Sequence, residues 1–305
     1  MSSSPAVHVG PSPREDLTAA VERAGGRLVD VADAEAVVWT GPPADLPDLP
    51  DAVRWVQLPS AGIEAWFDSG RLDRDRRWTS AAGAYSDAVA EHAVALLLAG
   101  VRGLVAAART DHWDAEALAA PQTTLRRATV AIVGAGGIGK AMIPALTGLG
   151  ARVVAVTRRG IDVPGADLTL PADRVGEVWE QADHVILAAP ATSGTKALVD
   201  AAALAALGPQ AWVVNIARGS LVDTDALVAA LADGTIAGAA LDVTDPEPLP
   251  DGHPLWSAPT ALITPHVANP PQLQSGALAD RVEENVRRFA AGEDLLAVVD
   301  LDAGY

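Results

Sequence analysis

The sequence predicts an α/β protein built as two domains, each around a parallel sheet. Three observations predict it. Short apolar runs alternate with stretches of helical spacing along most of the chain, which is the pattern of repeated strand–helix–strand units. At 305 residues the chain exceeds what one typical core accommodates. A glycine-rich turn, Gly134-Ala135-Gly136-Gly137-Ile138-Gly139, stands between an apolar run and a helical segment and opens the second of two such series.

In the first series, Ala6–Val9 is an expected strand, and Arg14–Ala24 has helical spacing before the Gly25-Gly26 stop. Residues 36–40 and 53–58 are expected strands on either side of a proline-rich loop, 42–50. The Ala/Val/Leu-rich stretch 88–108 reads as one long helix bridging the two domains, and 110–127 as an irregular exposed arm. From Thr129 the second series begins: a strand at 129–133, the glycine turn, a helix at 138–149 and a strand at 152–156, a complete strand–helix–strand unit within about thirty residues. Further strands are expected at 184–188, 211–215, 238–241 and 262–264, with helices at 201–207 and 224–233 between them. A last helix, 272–290, is expected to cross back to the first domain. The predicted division is therefore 1–95 with 275–305 for the smaller domain and 96–274 for a doubly wound sheet of Rossmann type.

Composition narrows the function. The 39 acids against 22 bases leave a formal charge of −17, which argues against nucleic acid or an anionic membrane as partner. The longest apolar stretch, 93–98, is too short to span a bilayer, and no secretory signal is visible at the N-terminus. There is no cysteine, so disulfides, thiolate metal sites and a Cys nucleophile are excluded. No set of His and acids has metal-ligand spacing, so no metal is expected. A cytoplasmic protein is the simple expectation.

Gly134-x-Gly136-x-x-Gly139 follows a strand and opens a helix, the context in which this spacing binds a dinucleotide. The first glycine makes the tight turn, the second admits the pyrophosphate, and the third permits close helix packing; Gly137 and Ile138 begin the helix whose N-terminus faces the phosphates. Gly134 and Gly139-Lys140 also have P-loop spacing, but Ala141 lacks the hydroxyl that Mg²⁺ needs. After the second strand, where an acid would bond a ribose 2′-OH, the chain has Thr157-Arg158-Arg159-Gly160. Two guanidiniums and a hydroxyl suit a 2′-phosphate, so NADP(H) is favoured over NAD(H). Pro190 and Thr195, beyond the strand at 184–188, and Ala217 join the expected cofactor-binding set.

Three later segments each carry a chemical group at the end of an apolar strand-like run: Arg218 in Asn215-Ile216-Ala217-Arg218-Gly219, Glu247 in 241–248, and His266 in Ile263-Thr264-Pro265-His266. A cation to hold a carboxylate, an imidazole to protonate a ketone oxygen and a carboxylate to partner that imidazole are what reduction of a 2-oxo acid needs. Taken singly, Arg218 reads equally well as a surface or capping residue, Glu247 as loop charge and His266 as a core histidine. His92, mid-helix between small apolar neighbours, reads as a packing residue.

These segments, with Ser60-Ala61-Gly62-Ile63 and Val89-Ala90-Glu91-His92, resemble those of the D-isomer-specific 2-hydroxyacid dehydrogenases over most of the chain. The resemblance implies a flavodoxin-like α/β substrate domain beside the Rossmann domain. It implies a D-2-hydroxy acid as product, Arg218 on the substrate carboxylate and ketone, His266 as the acid/base and Glu247 hydrogen-bonded to it. It implies Asp242 near the nicotinamide carboxamide, backbone N–H groups around Ala61 to Ile63 (Ala61, Gly62, Ile63) on the substrate carboxylate, and Ser60 in the same substrate-binding set. The arginine pair leans towards the NADP(H)-using glyoxylate and hydroxypyruvate reductases. Ser60, Trp66 and Tyr85 are expected near the substrate, and a homodimer through the second domain and the 110–127 arm is the family expectation. The alternatives are a dinucleotide-sensing, non-catalytic binding protein on the same fold, a phosphoglycerate dehydrogenase-like enzyme, and another two-domain Rossmann enzyme such as an amino-acid dehydrogenase or a thioether hydrolase.

Overall fold

In a computed structural model, which describes residues 4–302, the chain forms two compact units. One comprises residues up to Tyr85 with those from Pro270 onward, and the other runs continuously from Ser86 to Asn269. The sequence expectation set these limits at 95/96 and 274/275.

In the first unit the order is β1 (Ala6–Gly10), α1 (Glu15–Arg23), β2 (Arg27–Leu28), β3 (Ala36–Trp39), β4 (Trp55–Gln57), α2 (Glu64–Asp68) and β5 (Arg77–Thr79). The strands pair in parallel in the order β2-β1-β3-β4-β5, the flavodoxin-like order, and one isolated antiparallel bridge joins Thr79 to Val298. α1 buries Leu17, Ala20 and Val21 at helical spacing and ends at Gly25, whose φ of +82° terminates the turn.

The second unit begins with α3 (Ser86–Val101), α4 (Leu104–Arg109) and α5 (Ala115–Ala119). Its sheet follows: β6 (Thr129–Val133), α6 (Gly137–Gly148), β7 (Arg152–Thr157), β8 (Leu168–Pro171), α7 (Gly176–Trp179), β9 (His184–Leu187), α8 (Ala201–Leu207), β10 (Trp212–Asn215), α9 (Thr224–Asp233), β11 (Gly238–Leu241), α10 (Pro254–Ser257) and β12 (Ala261–Ile263). The order is β12-β11-β10-β9-β6-β7-β8, parallel throughout. It reverses between β6 and β9, so the ligand crevice of such a sheet is expected at the carboxyl ends of those strands. Every residue of β9, β10 and β11 is buried, as strands covered on both faces require. α11 (Pro271–Ala291) returns to the first unit and packs on α1. No helix among the described residues is long and apolar enough to cross a membrane.

Two expectations need correction. The helix read as continuous over 88–108 is two helices, because Gly103 adopts φ +65° between α3 and α4. The arm 110–127 contains the short α5, capped by the Asp114 side chain accepting from the Ala117 N–H at 3.1 Å.

Polar groups pin both cores. In the first unit the buried Gln57 Oε1 accepts from Thr79 Oγ1 (3.0 Å) and from Asn285 Nδ2 (2.9 Å), while Asn285 Oδ1 accepts from the Leu296 N–H (2.8 Å). In the second, the Trp212 ring lies where a Cβ on Gly100 (2.3 Å) or on Gly238 (2.5 Å) would collide with it, so the ring takes this place only because both positions are glycine. Beside it, His184 is 3% exposed and its Nδ1 accepts from the Trp212 N–H at 3.2 Å.

Burial pushes the His184 imidazole down to about 4, against a smaller opposing effect of Asp183. Its folded value lies below the ordinary histidine value near 6.5, so the neutral folded form is fully favoured above that value and loses ground as pH falls towards 4. The linked loss should reach on the order of 3 kcal/mol. Urea unfolding of wild type and His184→Gln between those pH values should show a shallower acid limb for the variant; parallel limbs would contradict the assignment.

Candidate active site

The candidate residues of the second unit lie at the carboxyl ends of its strands. After β6, Gly134 turns with φ +97°, and the N–H groups of Gly134 and Ala135 both donate to Val156 O at 3.0 and 2.9 Å. A Cβ on Gly134 would stand 2.3 Å from Ala189 N, and one on Gly139 3.0 Å from Gly134 O. Gly134 is required by this close backbone approach, whereas at Gly139 a Cβ would make only a tight contact. Gly136 is different: a Cβ there would meet nothing within 4 Å. It caps α6, with exposed Gly137 and half-buried Ile138 in the first turn, so the helix N-terminus opens onto free space where a pyrophosphate fits.

At the end of β7, Arg158 and Arg159 are exposed. The Thr157 hydroxyl is buried and, among the described residues, has no hydrogen-bond partner. At the end of β9, the Thr195 hydroxyl donates to Pro190 O (2.8 Å) and accepts from the Thr192 N–H (2.8 Å), so it shapes its own loop.

β10, β11 and β12 are neighbours in register, with Asn215 opposite Leu241 and Leu241 opposite Ile263. The chain leaves β10 through a knot made by Asn215, whose Nδ2 donates to Arg218 O (2.9 Å) and whose Oδ1 accepts from the Ala217 N–H (3.0 Å). Arg218 is half-buried and its guanidinium donates to Ala217 O at 2.7 Å. The next residue must be glycine: a Cβ on Gly219 would lie 1.9 Å from the Thr244 carbonyl. The 217–219 turn is thus pressed against the loop that follows β11.

That loop carries Asp242 and Glu247. Asp242 is 2% exposed. Its Oδ1 accepts from Thr264 Oγ1 (2.6 Å) and from the Val267 N–H (2.9 Å), its Oδ2 from the Ala268 N–H (3.1 Å), and its backbone carbonyl from the His266 N–H (2.8 Å). These bonds hold the segment after β12 in a bend in which His266 has φ +54°. A non-glycine residue there costs of order 1–3 kcal/mol and persists only where its surroundings over-determine it. The imidazole delivered this way meets Glu247, with Nδ1 and Oε1 2.6 Å apart. Both side chains are about half exposed (54% and 42%), so the pair contributes orientation more than stability. Beside it lies a cleft of about 400 Å³ walled by Pro248, Leu249, Trp256, Ile263 and Pro265.

The structure thus brings His266 together with Glu247 and Asp242, and brings the Arg218 turn against the Thr244 backbone. In the first unit, Ser60 Oγ donates to Gly62 O (2.6 Å). Among the described residues the N–H groups of Ala61, Gly62 and Ile63 have no protein acceptor. Trp66 is 4% exposed; its backbone N–H donates to Ile63 O at 2.9 Å and its ring packs on Trp78 in the core, centroids 6.0 Å apart. Tyr85 is likewise buried, its hydroxyl donating to Pro59 O at 2.8 Å. His92 corrects the packing expectation. Its Nε2 lies 3.1 Å from Thr264 Oγ1 and 3.3 Å from Asp242 Oδ1, a placement that no local spacing signals.

A doubly wound parallel sheet, a glycine turn opening a helix and an imidazole–carboxylate pair at the adjoining strand ends define a nicotinamide dinucleotide-dependent oxidoreductase. Residues 94–268 match the family model described as D-isomer specific 2-hydroxyacid dehydrogenase, NAD binding domain. A protein of Corynebacterium melassecola, described as an uncharacterized protein in the proB 3′ region, is 40% identical over 95% of this chain and 97% of its own length. A glyoxylate reductase of Thermofilum pendens is 34% identical over 73% of this chain and 67% of its own. A solved D-isomer specific 2-hydroxyacid dehydrogenase from Xanthobacter autotrophicus Py2, in complex with NADPH and MES, superposes with a TM-score of 0.82 at 27% identity, covering 99% of this chain and all of that one. The chain belongs to the D-isomer specific 2-hydroxyacid dehydrogenase family, NAD(P)-dependent enzymes acting on CH–OH donors.

The glycines separate folding from binding. Gly134→Ala should lose roughly 1–3 kcal/mol or more through the Ala189 clash. Gly136→Ala should stay within about 0.5 kcal/mol of wild type yet bind dinucleotide more weakly. Thermal unfolding beside a fluorescence titration with NADPH measures both; equal destabilisation by the two changes would contradict this division.

Proposed function

We propose that the protein reduces a small 2-oxo acid of the glyoxylate or hydroxypyruvate type to the D-2-hydroxy acid, with NADPH preferred over NADH. The observation that carries the reading is the 2.6 Å Glu247–His266 pair, held in a strained bend at the carboxyl edge of a dinucleotide-binding sheet. When bound, the reduced dinucleotide supplies the hydride for the ketone carbon. Gly134, Gly136, Gly137, Ile138 and Gly139 would hold its pyrophosphate. Thr157, Arg158 and Arg159 would hold a 2′-phosphate, and Pro190, Thr195, Ala217 and Asp242 its nicotinamide end.

The remaining work belongs to this chain's own groups. Glu247 engages Nδ1 of His266 and fixes the ring, so Nε2 is the atom that gives its proton to the ketone oxygen. The Arg218 guanidinium orients the substrate and offsets negative charge growing on that oxygen. The unpartnered N–H groups of Ala61, Gly62 and Ile63, beside Ser60, suit a carboxylate. The first unit is accordingly assigned to substrate and the second to dinucleotide. A cytoplasmic homodimer belongs to the same proposal, and light scattering in solution tests its second half.

The decisive assay is loss of reduced-nicotinamide absorbance with NADPH, then NADH, against a panel of 2-oxo acids; silence across the panel with NADPH bound would refute the proposed reaction. On the best substrate, His266→Asn should lower kcat by about 10²–10⁴ while NADPH affinity is kept. Near wild-type turnover would remove His266 as the acid. The double change Arg158→Ala, Arg159→Ala should raise KM for NADPH far more than for NADH; equal changes would dismiss the 2′-phosphate role.

A further inference from the structure

From the contacts of α3 with the loop after β12, we infer that His92 is a positioning residue for His266, acting through Thr264 and Asp242. The inference rests on the proposed role of His266 and adds a residue to it. The proton bookkeeping is determined by the distances. Thr264 Oγ1 has one proton and gives it to Asp242 Oδ1 at 2.6 Å. Towards His92, 3.1 Å away, the same oxygen can therefore only accept. The proton between them belongs to His92 Nε2, which also faces Asp242 Oδ1 at 3.3 Å. His92 is thus a donor aimed at the junction of two acceptors, one a buried carboxylate.

That junction is the anchor of the bend. Thr264 stands two residues before His266, and the Asp242 carboxylate binds the two amides after it, those of Val267 and Ala268. Removing the His92 donor leaves an unmet acceptor on the Thr264 hydroxyl and takes one donor from a carboxylate that water barely reaches. Both groups can then relax only by moving, and both are bonded to the segment that holds His266 at φ +54°. His92 itself projects from α3, which packs along β10 and β11. The acid is therefore braced from the helical layer as well as from its own strand, and small displacements of a reacting group are costly in rate.

Three single variants test this: His92→Phe, which keeps the ring shape without the donor, His92→Gln, which keeps a terminal N–H donor, and Thr264→Val, which removes the bridging hydroxyl. His92→Phe and Thr264→Val are expected to lower kcat by about 10–100-fold with the affinity for NADPH little changed. Amide hydrogen exchange at Val267 and Ala268 should accelerate in the same two. His92→Gln should recover most of kcat and of the protection. Wild-type kcat in His92→Phe, or a Gln variant no better than Phe, overturns the inference, as does unchanged amide exchange in all three. If His92→Phe does not fold, Thr264→Val against His92→Gln gives the same comparison. A wild type silent on every 2-oxo acid would refute the role of His266, and the exchange rates would still decide whether His92 braces the bend.

Discussion

The buried carboxylate of Asp242 is the constraint from which the rest of the site follows. A charge removed from water is tolerable only when its lone pairs are filled with donors. Here those donors are the Thr264 hydroxyl, the amides of Val267 and Ala268, and the imidazole of His92. Three of the four belong to the segment after β12, so satisfying the charge dictates the path of that segment. The path in turn forces His266 into left-handed backbone. The bond to Glu247 comes last in this chain of cause: it orients a ring that the buried acid has already delivered.

A second constraint is the closeness of backbones at the strand ends. Gly134 touches the Ala189 main chain and Gly219 touches that of Thr244, each at a distance no side chain permits. The loops after β6 and β9, and those after β10 and β11, are therefore locked in pairs. Gly100 of α3 and Gly238 of β11 make room for the Trp212 ring. Chemistry-bearing residues are few, and their positions derive from where side chains are missing.

Much of this was legible in the sequence, for physical reasons. Strands of a parallel sheet buried on both faces read as unbroken apolar runs, and 129–133, 238–241 and the helices 201–207 and 224–233 match the structure residue for residue. β2, β5 and β8 are short strands at sheet edges, half exposed or less apolar, and have no such signature. The break at Gly103 is hidden because Gly100 and Gly103 stand in the same Ala/Val/Leu run, and nothing local shows which of them adopts a positive φ. Arg218, Glu247 and His266 could be picked out because each follows a strand. His92 could not, since Thr264 lies 172 residues further along and nothing local records the meeting. Trp66 sits near the Ser60 loop in sequence, and its ring is drawn into the core.

The amide pair of Gln57 and Asn285 has a consequence for biosynthesis. The two residues are 228 positions apart, and Asn285 also fastens the Leu296 main chain. A nascent chain exposes β1 to β5 early, but Asn285, which supplies one donor to the Gln57 carboxamide, emerges only after the whole of the 86–269 unit. The 86–269 unit is contiguous and has all its strands before then. Because domains fold as units while they leave the ribosome, the order of maturation runs opposite to the order of synthesis: the unit begun first is completed last. Until α11 arrives, the Gln57 carboxamide has its bonds to Thr79, Leu58 and Ser80 but lacks the one from Asn285.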